Sequence, residues 1–121
     1  MQTNKDKNLI VDLTFEFALN IIKYVELLER SQKYVIARQL LKSGTSIGAN
    51  VREAQNAESK LDFIHKFKIA AKEADETEYW LLLCKNSGYG ICDELLEKCN
   101  SIIKVLSKII ASSKLKQSTI Q

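Results

Sequence analysis

The chain has 121 residues, a formal net charge of +3, 45% hydrophobic and 27% charged residues, 4 glycines and no proline. Such a length fits one domain that buries roughly two thirds of its unfolded surface, and the scarcity of helix breakers favours helices joined by short turns over sheets. No apolar run approaches the ~18 residues of a membrane span, and the polar start, Met1 to Asn8, lacks the apolar core of a signal peptide. A cytoplasmic location with no membrane contact is therefore expected.

The first helix is predicted from about Lys7 to Arg30, because Ile10, Leu13, Phe17, Ile21, Tyr24 and Leu28 recur at intervals of three and four. After a tight break at Ser31 to Lys33, a second helix is expected over about 34–57. Its apolar arc carries Ile36, Leu40, Ser43, Gly44, Ile47, Val51 and Ala54, while Arg38, Lys42 and Arg52 fall on the opposite side. Gly44 and Gly48 each cost about 1 kcal/mol against alanine inside a helix. Keeping both points to close approach of a neighbouring backbone, and a phosphate-cradling loop is disfavoured because no strand precedes the pair.

Ser59 followed by Asp62 suits the start of a third helix, predicted over about 60–86 and stopped by Gly88 or Gly90. Phe63, Phe67, Ala70, Ala74, Thr77, Leu81 and Cys84 form its core stripe. Glu78 falls inside that stripe, where an ionised carboxylate needs partners or a shifted pKa; a donor from another helix is expected, with Asn50 on the second helix as one candidate. Ile69, Trp80 and Leu83 make a second apolar strip, which either packs within the monomer or is covered by another subunit. The fourth helix is predicted over about 92–113. It has Asp93, Glu94 and Glu97 at its start, Leu95, Leu96, Cys99, Ile102, Ile103, Leu106, Ile109 and Ile110 along its face, and lysines toward its end. The segment from Leu115 to Gln121 is expected to fray.

Cys84, Cys92 and Cys99 lack a C-x-x-C pairing and are odd in number, which argues for buried thiols and against a disulfide framework or zinc site. From Lys98 to the end the chain has Lys98, Lys104, Lys108, Lys114 and Lys116 and no acid, so this end is locally basic. An enzyme is not expected. His65 is the single histidine, and Asp62-x-x-His65 occurs once where a di-iron bundle needs such a pair twice. Glu73, Asp75, Glu76 and Glu78 scatter around the helix instead of converging on a cation. No cofactor or metal is expected.

Ser46-Ile47-Gly48-Ala49-Asn50-Val51-Arg52-Glu53-Ala54, then Asp62-Phe63-Ile64, Ile69-Ala70 and Glu76-Thr77-Glu78-Tyr79-Trp80-Leu81, together resemble the 23S rRNA intervening-sequence proteins. The resemblance extends from about Phe15 to Ser112. It implies an all-α, up-down-up-down antiparallel four-helix bundle that assembles into a homopentameric ring. The implied fold is similar to that of the accessory variability determinant of diversity-generating retroelements, a basic pentamer that binds nucleic acid and a reverse transcriptase. The modest net charge here departs from that relative.

Two functions follow as expectations. One is an oligomeric module that binds RNA or DNA by neutralising phosphates with Arg38, Lys42, Arg52, Lys104, Lys108, Lys114 and Lys116, without base readout. The other is a scaffold whose Ile69, Trp80 and Leu83 strip meets another protein, with no nucleic acid involved.

Overall fold

In the computed structural model the backbone is described for residues 2–120 and the side chains for residues 9–116. Four helices follow in chain order, α1 (Gln2–Arg30), α2 (Tyr34–Ala54), α3 (Lys60–Asn86) and α4 (Asp93–Ile120), with no strand among the described residues. α4 is helical through Ile120, past the Leu115 from which fraying is expected, and Gln121 lies outside the described residues.

Local chemistry explains where the helices stop. α1 closes through Lys33 N–H donating to the Leu28 carbonyl (2.9 Å) and Gln32 N–H to Glu29 (2.9 Å), which leaves Gln32 at φ 63°. A side chain rarely takes that left-handed conformation, and glycine usually fills this cap. α3 ends in the same way with glycine in place: Gly88 has φ 70° and Tyr89 N–H donates to the Cys84 carbonyl at 3.0 Å. α2 ends at Ala54 rather than near residue 57, because Gln55, Asn56 and Ala57 each donate three residues back, tightening the chain into a turn. Ser59 then caps α3 by accepting from the Asp62 N–H at 3.0 Å.

α1 and α3 each pack against both α2 and α4, whereas the diagonal pairs α1/α3 and α2/α4 do not meet among the described residues. Facing residues run in reverse order along the three seams between consecutive helices. Thr14 and Ile21 of α1 lie against Gly48 and Gly44 of α2. Glu53 and Ser43 of α2 meet Lys66 and Thr77 of α3, and Ala74 and Leu81 of α3 meet Cys99 of α4 and Cys92, the residue just before it. The core is continuous through Phe17, Ile21, Leu40, Ile47, Phe67, Leu81, Ile102 and Leu106. Each such side chain contributes roughly 1.5–3 kcal/mol by leaving water.

The glycines let α2 approach α1. A Cβ at Gly44 would stand 2.9 Å from Ile21 Cγ2, and one at Gly48 would stand 3.3 Å from both the carbonyl and the hydroxyl oxygen of Thr14. All three cysteines are free and buried.

The polar expectation for Asn50 and Glu78 is corrected. Both are only half-buried, and Asn50 Nδ2 donates to the Ser46 carbonyl of its own helix at 2.9 Å. Residual solvent access spares Glu78 the need for a donor. The buried polar link between α2 and α3 is instead Ser43 with Thr77, hydroxyl to hydroxyl at 2.9 Å; the one Thr77 proton goes to the Glu73 carbonyl at 2.7 Å, so its oxygen accepts from Ser43.

Candidate functional site

The cations picked out from sequence all reach solvent. Arg38, Lys42 and Arg52 are exposed along α2, and Lys104, Lys108, Lys114 and Lys116 are exposed along α4. None of them forms an ion pair among the described residues, where the ion pairs are Lys66–Glu53 (3.0 Å) and Lys85–Asp93 (2.7 Å). Because α2 and α4 are diagonal, their packing does not join the two groups into one patch. One chain presents two separate basic faces.

The second apolar strip is divided. Trp80 and Leu83 line a groove of about 530 Å³ between α2 and α3, together with Tyr34, Val35 and Gln39 of α2 and Tyr89 of the following turn. Ile69 is half-buried and lies outside this groove. Trp80 is held in place by its indole N–H, which donates to Glu76 Oε2 at 3.1 Å, and by the edge of Tyr79 with ring centroids 5.3 Å apart. Lys33 sits over the Tyr89 ring, 4.7 Å from its centroid.

Sequence reasoning missed a further apolar surface. Phe15, Leu19 and Ile22 project from α1 away from the core, and Phe15 is 55% exposed. Phe15 borders a shallow groove of about 200 Å³ over Gly48 and Ala49, with Arg52 at its rim. The available signal was an excess of large apolar residues off the Ile10, Phe17, Ile21 stripe. Tyr34, Val35 and Tyr89 were missed for another reason: they come from a helix start and a turn, where periodicity says nothing.

The remaining groups do not assemble a reactive centre. Among the described residues, no three histidine, cysteine, aspartate or glutamate side chains gather as metal ligands, and His65 is exposed. Burial pushes the Cys84 and Cys92 thiols up, and it pushes Cys99 from 9.0 up to about 12, with the nearby Glu78 and Asp75 charges adding to the rise. Thiols so held stay protonated and are poor nucleophiles at neutral pH. The Tyr24 phenol, raised mainly by burial, donates to the Gly90 carbonyl at 3.1 Å and ties α1 to the α3/α4 turn. No described helix is long and apolar enough to cross a membrane.

A family model described as 23S rRNA-intervening sequence protein matches residues 6–111. The fold is similar to a crystal structure of a protein of unknown function from the S23 ribosomal protein family of Bacteroides thetaiotaomicron, with 43% sequence identity and a TM-score of 0.83. That match covers 88% of this chain and 98% of the other. Among curated proteins none matches.

Proposed function

The chain belongs to the 23S rRNA-intervening sequence protein family, and from that premise we propose that it is a non-enzymatic subunit of a homopentameric ring that binds RNA or DNA through its phosphates. The reverse order of facing residues along the seams supports an up-down-up-down bundle as the repeating unit. The observation that carries the nucleic-acid reading is the set of exposed cations on α2 and α4 with no ion-pair partner among the described residues. Such cations can neutralise phosphates without first breaking an internal bond.

Two modest basic faces per chain gain weight in a ring. Five copies would carry about +15, five times the +3 of one chain, and clustered charge draws polyanions more strongly than dispersed charge. Contacts of this kind position a backbone and carry no sequence information.

The test is a titration of labelled single-stranded RNA and duplex DNA at rising salt, with the parent and a Lys104→Glu/Lys108→Glu variant. Affinity should fall steeply with salt, and the variant should bind more weakly with a shallower salt slope. Binding that ignores both changes would remove the phosphate reading. The exposed Trp80 groove supports the second reading, a protein scaffold without nucleic acid, and that reading gains if no nucleic acid binds while the ring persists.

A further inference from the structure

Two exposed apolar surfaces flank α2, and they differ in both shape and charge. On α1, Phe15, Leu19 and Ile22 form a projecting ridge. Asp12, Glu16 and Glu26 are exposed on the same outer side of that helix. Between α2 and α3 lies the groove of about 530 Å³ around Val35, Trp80 and Leu83, in which Val35 is 75% exposed. Lys33 lines this groove, and Arg38 and Lys42 are exposed on α2 one and two turns beyond Val35. Acids outnumber bases on the ridge, where Lys23 and Arg52 are the bases, and the α2 side of the groove is basic, with Glu76 the acid beside Trp80.

We propose that the α1 ridge of one copy seats in the α2/α3 groove of a second copy, in a head-to-tail contact. The inference rests on the ring reading above and names the faces that build the ring. Charge complementarity selects the occupant: Asp12, Glu16 and Glu26 meet Arg38 and Lys42 across the contact. Residues of the reversed sign fit as well, since Lys23 lies on the ridge side and Glu76 on the groove side. Ridge against ridge would oppose the acids to one another, and groove against groove would oppose the bases, so a two-fold contact through either face is disfavoured.

A head-to-tail contact leaves one free face at each end until rotation closes the ring. It also divides the basic residues. Arg38 and Lys42 serve subunit pairing and Arg52 lies beside the Phe15 ridge, which leaves the α4 lysines for phosphate.

The decisive experiment uses two single variants, Phe15→Glu and Val35→Glu, followed by light scattering. Phe15 is half-exposed and Val35 lies in the first turn of α2, where an acid suits the helix dipole. Both chains should fold, and circular dichroism melts verify this. Each variant alone should run at the monomer mass of 13.8 kDa. An equimolar mixture should double that mass, because the Val35→Glu chain keeps its ridge and the Phe15→Glu chain keeps its groove. A Phe15→Glu/Val35→Glu chain should pair with neither.

Persistence of the parent assembly in Val35→Glu, or a mixture that stays monomeric, overturns the proposal while the ring reading stands. A parent chain that is itself monomeric overturns both.

Discussion

The α1/α2 and α3/α4 seams bring helices together by different means. α1 meets α2 by omission, since Gly44 and Gly48 offer no side chain and the neighbour is Ile21 in one case and the Thr14 backbone and hydroxyl in the other. α3 meets α4 through thiols, with Cys92 Sγ 3.3 Å from the Leu81 carbonyl and Cys99 Sγ 3.4 Å from that of Ala74. A glycine contact can be broken only by adding atoms. A thiol contact can also be broken by removing a proton, so the two seams should respond to different insults.

Gly44→Val breaks the first seam hardest. Its new atoms overlap a β-branched, fully buried Ile21 that has little freedom to move, and the loss should be about 2–3 kcal/mol in urea unfolding. A parent-like midpoint would mean that α1 and α2 are not so close.

Alkaline pH attacks only the second seam. Cys99 titrates at about 12 in the folded chain against an ordinary 9.0, so its protonated form is favoured by folding. The stabilisation is complete below pH 9 and is lost as pH rises toward 12, at up to about 1.4 kcal/mol per pH unit. The melting temperature of the parent should therefore fall across this window more steeply than that of Cys99→Ala. Parallel curves for the two proteins would show that this thiol is not the titrating group.

The α2/α3 seam lies between these extremes, tied by Ser43 and Thr77. Ser43→Ala should cost about 1 kcal/mol, since Thr77 keeps its bond to Glu73. Loss of the link should also make a subsequent Thr77→Val change cheaper than it is in the parent, and strict additivity of the two would deny the contact.

The smallest effect is expected for Gly48→Ala, within about 1 kcal/mol of the parent in either direction. A helix-propensity gain of about 1 kcal/mol opposes the few tenths of an ångström by which Thr14 must yield at 3.3 Å. A loss as large as that of Gly44→Val would place the tightest helix contact at Gly48 instead.

Much of this was legible in the sequence. The periodic stripes of Ile10 to Leu28, Ile36 to Ala54 and Phe63 to Cys84 mark the helices because burial repeats with the helical turn. Ser59 and Gly88 announced their caps through local chemistry. The glycine pair signalled close approach, since its helix-propensity cost needs a packing return. Gln32 gave no such sign: it occupies a left-handed cap only because the chain must turn there.

The sequence by itself determined which residues share a face of each helix, because that is set by a local period of 3.6 residues. Only the tertiary structure decided which faces meet. It placed the basic residues of α2 and α4 on diagonal helices, joined Ser43 to Thr77 in place of Asn50 to Glu78, and gathered Tyr34, Val35, Trp80 and Tyr89 around one groove. These arrangements depend on the rotation and spacing of helices against one another, which long-range packing fixes and no local period encodes.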